Sequence, residues 1–231
     1  MIPDHTVRGL KFPSRAQGTP TDNTNRLIQP TPETLSFNPE LHLQLEIPAY
    51  IQSIHGTRVE YPLPSTTSKL GSTLAFSAPF RVLSTEGVAA FRTIITNNAQ
   101  HAGSNNRQPK SIRGIGYRSK FIRDFNYSKE VLSHLAGITG KALHPHDMGM
   151  NFSQINFGQI GNNEKVDVWH IDSVPYVMVL LLSDATDMVG GKLQVAKISD
   201  PTKALEIIYK KGELPSNLID EVNCKYYCCV M

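Results

Sequence analysis

No cysteine occurs before Cys224, and the three present (Cys224, Cys228 and Cys229) fall within the last eight residues. No disulfide frame can therefore staple the body of the chain, which excludes a cystine-built secreted scaffold. Long apolar runs are missing as well. The most apolar stretch, Val174 to Leu182, has nine residues and includes Pro175, whereas a membrane-spanning helix takes about 20. The opening MIPDHTVRGLKFPSR has no apolar segment behind its basic residues, so no secretory signal is expected and a cytoplasmic location is. Neither sign of charge dominates: 23 Lys and Arg against 20 Asp and Glu leave +3, too little and too dispersed to mark a nucleic-acid partner. What is present, 40% hydrophobic and 19% charged residues in a chain of 231, is the composition of a folded globule, most simply one domain with a substantial core. Cys228-Cys229-Val230-Met231 matches the C-a-a-X prenylation pattern, with Met where a farnesyl group is favoured, but without the usual polybasic approach.

Ten of the fifteen prolines lie in residues 1–80, where periodicity is weak, so this region reads as loops, short strands and a mobile leader. Residues 81–231 carry the patterned part. Ser84 to Gln100 offers a capping serine, Glu86 in the first turn and Val88, Phe91, Ile94 and Ile95 at helical spacing, with Asn97-Asn98 as a stop. His101 to Ser119, rich in Gly, Asn, Arg and Ser, reads as a long loop of the kind that gates a substrate. Ser128 to Gly137 predicts a second short helix ending near its glycine. From Asn151 the period falls to 2. Strands are expected near Phe152–Gly158, Lys165–Asp172, Tyr176–Leu182, Lys192–Lys197 and Ala204–Tyr209, with turns at Gly161-Asn162-Asn163 and Gly190-Gly191. Helices followed by strands give an α+β class, with helices buttressing a barrel or double-sheet jelly roll.

Within Lys165–Asp172, alternation puts Val166, Val168, His170 and Asp172 on one strand face and Trp169 on the other. Same-face neighbours stand about 6–7 Å apart at roughly 3.3 Å per residue, so an imidazole and a carboxylate converge at the strand end. A divalent cation compensates such a carboxylate and takes the imidazole nitrogen as a second donor. The same spacing also occurs in surface pairs and hydrogen-bonded couples. Gln154 and Asn156 likewise share a strand face, and Tyr176 opens an apolar strand.

Trp169-His170-Ile171-Asp172-Ser173, the apolar strand closing on Leu182-Ser183-Asp184, and Gly190-Gly191-Lys192-Leu193-Gln194-Val195 resemble the central part of the iron(II)/2-oxoglutarate-dependent dioxygenases. The resemblance continues through Tyr117–Phe125 and Asn151–Gly158, as in phytanoyl-hydroxylase-like and fungal biosynthetic members. It covers about residues 80–220 and is strongest at 150–196. It implies a double-stranded β-helix, a jelly-roll barrel with iron held at its mouth by two histidines and one carboxylate. His170 and Asp172 would be the metal ligands and catalytic pair. Three iron positions would be left for 2-oxoglutarate and dioxygen. Asn156, Gln154 and Lys192 would contact the co-substrate, and Arg118 and Tyr176 the substrate. The implied activity is hydroxylation or a related oxidation of a small organic molecule, as in secondary metabolism.

Two parts of that pattern are missing. All eight histidines lie at or before position 170, and no arginine follows Asp172, whereas the family's third ligand and its 2-oxoglutarate-binding arginine come later in the chain. The sequence therefore reads as C-terminally truncated, with the last barrel strands missing and weak or absent turnover expected. His144-Pro145-His146-Asp147 offers two further imidazoles and a carboxylate as substitute ligands, or a plain exposed turn. Arg107, Lys110, Arg113, Arg118, Lys120 and Arg123 form a basic group that attracts an anionic substrate or simply faces solvent. The rival reading is a non-catalytic jelly-roll module that binds through the same mouth.

Overall fold

The computed structural model describes residues 28–53, 58–60, 74–105, 108, 110–147, 149–159, 172, 174–183, 193–197, 200–207 and 224–230. Residues 1–27, where the expected leader begins, lie outside the described residues, and from Ile28 the chain is held against the helices. Ile28 is buried against Gly114, the Thr31 N–H donates to the Arg118 carbonyl at 2.8 Å, and the Thr31 hydroxyl donates to Asn98 Oδ1 at 2.7 Å. The Glu33 carboxylate then accepts the Phe121 N–H at 3.1 Å, which satisfies a backbone donor at a helix start. A short helix α1 (Pro39–His42) follows, with Asn38 as its cap and proline at its first position. Next come β1 (Tyr50–Ser53), β2 (Arg58–Glu60) and β3 (Leu74–Ser77), an antiparallel sheet in the order β2-β1-β3.

The amphipathic segment forms α2 (Thr85–Asn97). Ser84 Oγ accepts the Gly87 N–H, and Val88, Phe91, Ile94 and Ile95 are buried. The supposed loop that follows is more ordered than its composition suggests, because it holds a 3-10 turn (Ala99–His101), β4 (Ser111–Arg113) and the one-turn helix α3 (Ile115–Arg118). β4 and α3 are too short to show a period, yet Ile112 and Ile115 are wholly buried. Helix α4 (Lys120–Asn126), capped by Ser119, was not expected from the sequence. It buries Phe121, Ile122 and Phe125. Helix α5 (Lys129–Thr139) starts at Ser128 as expected but runs past Gly137. It ends at Gly140, whose φ of +66° suits a glycine closing a helix.

The core is an aromatic knot between these helices. Phe91 meets Phe121 and Phe125 edge to face, with ring centres 5.6 and 5.0 Å apart, and Phe37 from the preceding segment adds two more such contacts. Each pair adds about 0.5–1.5 kcal/mol beyond the area it buries.

The remaining strands are β5 (Gln154–Gln159), β6 (Met178–Leu181), β7 (Leu193–Lys197), β8 (Asp200–Ile207) and β9 (Cys224–Val230). β4, β5, β9 and β6 lie side by side in that order, all antiparallel, and β7 pairs with β8. Four expected strands thus match β5 to β8, with ends shifted by up to four residues. β9 was not expected and lies between β5 and β6. Most of the expected Lys165–Asp172 strand, with both expected turns, lies outside the described residues, and Asp172 itself is not in a strand. The strands described make three separate antiparallel sheets, and no closed barrel is formed among the described residues.

Gly87 marks where α1 meets α2, since a Cβ there would stand 2.2 Å from the His42 carbonyl oxygen. In an open helix Gly→Ala stabilises by about 1 kcal/mol. Here Gly87→Ala is expected to cost about 1–3 kcal/mol through overpacking. Gly137→Ala, with no atom within 4 Å of the added carbon, is expected to stabilise. Urea midpoints of the two variants should move in opposite directions.

Candidate functional site

β5 supports two different faces. Ile155 pairs with Ile112 on β4 and shares a rung, through Cys228 of β9, with Leu180 on β6. Ile112, Ile155, Phe157, Met178 and Leu180 belong to the same core cluster as the α2, α4 and α5 side chains, so this face packs on the helices. The alternate residues make the other face. Gln154 is paired with Arg113 and Asn156 with Ser111, and Gln154 and Asn156 are only 8% and 5% exposed. Gln154 Nε2 donates to Asn156 Oδ1 at 2.5 Å. A buried amide pair of this kind is stable only when its polar groups are matched.

The strand is fixed at its start by an unusual turn. Ser153 has φ +59°, in the left-handed region, where a non-glycine residue is uncommon. The Ser153 and Phe152 carbonyls accept the Ile115 and Gly116 N–H groups at 3.2 and 3.1 Å, and Asn126 Nδ2 donates to Ser153 Oγ at 2.6 Å. Asn126 Oδ1 is buried and has no partner among the described residues. Two residues before Ser153, Asn151 accepts from the Arg113 guanidinium.

The His144–Asp147 segment is clamped rather than loose. Tyr127 donates its hydroxyl to the Asp147 carboxylate at 2.5 Å, and Tyr117 donates to the Asp147 main-chain carbonyl. Burial, followed by the negative charge of Asp147, raises the pKa of the Tyr117 hydroxyl. Burial, then the hydrogen bond to Asp147, raises that of Tyr127. Both phenols remain protonated. His144 Nδ1 lies 2.8 Å from the Pro145 carbonyl, an acceptor only, so that nitrogen carries the proton. The His144 ring stands edge-on to Tyr127 at 5.8 Å.

Of the residues singled out from the sequence, the structure brings Gln154 and Asn156 together. Asp172 is exposed, and Tyr176 is half-buried just ahead of β6. Arg118 is buried at the end of α3, and its charge, after burial, lowers the pKa of His101. His170 and Lys192 lie outside the described residues, as does Arg107. The basic group is split between surface and interior: Lys110 and Lys120 are exposed, the first over the Phe157 ring at 5.0 Å and the second paired with Asp124, while the half-buried Arg113 binds Asn151 and the half-buried Arg123 donates to the Gly116 carbonyl at 3.4 Å. Among the described residues no three His, Cys, Asp or Glu side chains gather as a metal site. Sequence reasoning missed the Asn126–Ser153 contact and the Tyr117–Tyr127–Asp147 clamp, because neither follows a spacing that a pattern can show.

Compared with known proteins, the chain matches no family model, no curated protein and no solved structure. No helix among the described residues is long and apolar enough to cross a membrane.

Cutting Gln154 or Asn156 back to alanine leaves the partner amide unmatched, and each change is expected to cost about 1–3 kcal/mol. The double variant should lose less than the sum of the two, with a coupling of about 0.5–3 kcal/mol in a double-mutant cycle by urea unfolding. Strict additivity would show that the amides do not act as a unit.

Proposed function

We propose that this chain is a jelly-roll protein of the iron(II)/2-oxoglutarate-dependent dioxygenase type, taking a small organic substrate in the cytoplasm. The observation that carries the reading is the two-sided burial of β5, apolar against the helices and amide-bearing on the other face. A jelly roll needs such a sheet, because its inner face is covered by a second layer and lines the ligand space. In this reading Gln154 and Asn156 orient a polar group of the co-substrate. Lys192 supplies a positive charge for its carboxylate, and Arg118 and Tyr176 border the substrate.

The donors present do not fit a complete iron site. Asp172 is exposed, no histidine follows His170 in the sequence, and the Asp147 carboxylate is already engaged by Tyr127. No reaction step is therefore assigned through iron, 2-oxoglutarate or dioxygen. The same observations favour a second reading, a non-catalytic jelly-roll module that binds its ligand on the amide-bearing face.

Anaerobic titration with iron(II), with and without 2-oxoglutarate, tests the first reading. Ferrous binding is expected to depend on His170 and Asp172. Asp172→Ala should weaken it by more than the roughly ten- to hundredfold that losses in the outer shell of a metal site cause. Affinity for iron that ignores Asp172→Ala, or no affinity at all, would leave the binding module as the better account.

A further inference from the structure

We propose that the arm formed by residues 38–46 is latched onto the helical layer by two histidines that hold it only while uncharged, so that proton uptake releases it. The inference is independent of the dioxygenase reading. His42 on α1 is 5% exposed, and its ring lies nearly parallel to Phe37 at 5.9 Å and edge-on to Phe121 of α4 at 4.9 Å. Its Nδ1 accepts the Asn38 N–H at 2.9 Å. Only a bare ring nitrogen can do this, and a proton there would set one donor against another. The same stretch of chain forms the joint with α2: the Ser84 N–H donates to the His42 carbonyl at 3.1 Å, and the Ser84 hydroxyl donates to the Leu41 carbonyl at 2.6 Å.

His134 reaches the arm from the other side. It projects from α5, packs on Phe80 with ring centres 5.6 Å apart and hydrogen-bonds the backbone of Glu46. The Glu46 N–H is already donated to the Arg81 carbonyl at 2.8 Å, so the Glu46 carbonyl is what receives the ring N–H. The second ring nitrogen, Nε2, is buried with no partner among the described residues. A proton placed on it would be a buried cationic N–H with no acceptor.

The charged surroundings do not offset this. His42 faces phenyl rings from α4 and from the segment before α1. Burial lowers the pKa below the ordinary 6.5 against the pull of the Glu86 carboxylate on α2, and the Asn38 N–H seated on Nδ1 opposes a proton there. On the arm side of His134, Glu46 and Arg81 are paired with each other at 3.6 Å. On its own helix Lys129 and Glu130 are paired at 3.7 Å. Burial dominates there too, lowering the pKa against the pull of the Glu46 backbone. Because both folded-state values are depressed, the latch is at full strength above the ordinary value of 6.5. It weakens as pH falls below that value toward the folded-state pKa, since the released arm then binds the protons.

Hydrogen exchange read residue by residue, with ring titrations by NMR, tests this between about pH 7.5 and about pH 5.5, the range in which imidazole changes charge. The Gln44 and Glu46 amides, which donate to the Val82 and Arg81 carbonyls, are expected to lose protection relative to Ile95 in α2 and Phe125 in α4. The loss should steepen to at most about tenfold per pH unit for each histidine. Both rings should titrate below 6.5. In the double variant His42→Gln and His134→Gln, which cannot take up the protons, arm protection should stay flat across the range. Arm and helices losing protection together, or either ring titrating at or above its ordinary value, would overturn the proposal. Should the double variant not fold, the ring titrations and the comparison of arm with helices in the unsubstituted chain decide the matter.

Discussion

Strand β5 must satisfy two unlike environments at once, and the described structure is arranged around that demand. On one side Ile155 and Phe157 join the aromatic knot of Phe91, Phe121 and Phe125. On the other, Gln154 and Asn156 are removed from water and left to match each other. Apolar burial at about 25 cal/mol per Å² drives the first face together. The second gains little from burial and costs free energy unless its hydrogen bonds are made. The helical layer therefore supplies the stability, while the amide face depends on geometry imposed from elsewhere.

That geometry is imposed by the turn ahead of β5. Asn126 from α4 holds the Ser153 hydroxyl, and the first N–H groups of α3 hold the Phe152 and Ser153 carbonyls. The left-handed backbone of Ser153 persists because these contacts over-determine it, which is the usual condition for such a residue. The helices thus do more than cover the sheet, since their ends set where β5 begins and which of its side chains point away from the core.

The parts of the fold visible in the sequence were those with enough length to repeat. α2 showed its serine cap and its apolar stripe, and β6 and β7 their β-branched and leucine runs. α4 escaped because it has only seven residues, and Phe121, Ile122 and Phe125 span barely one turn. The end of α5 was misplaced because Gly137 and Gly140 are equivalent as letters. Only the backbone distinguishes the glycine whose φ is positive from the one that continues the helix. At the candidate site, the shared face of Gln154 and Asn156 followed from the period of 2. The clamp on Asp147 did not, because Tyr117 and Tyr127 come together through the packing of α3 and α4 and not through any spacing.

The position of β9 has a consequence for how the molecule is made. Residues 224–230 lie between β5 and β6, so the sheet assembled around Gln154–Gln159 stays open while the ribosome is still making the intervening chain. Until β9 arrives, the inner edges of β5 and β6 present unpaired backbone and apolar side chains, a state prone to intermolecular pairing. Contacts between partners so distant in the chain also form slowly. The yield of native protein should therefore depend on the interval between emergence of the helical layer and delivery of β9, which makes translation speed and chaperone capture part of this protein's physical chemistry.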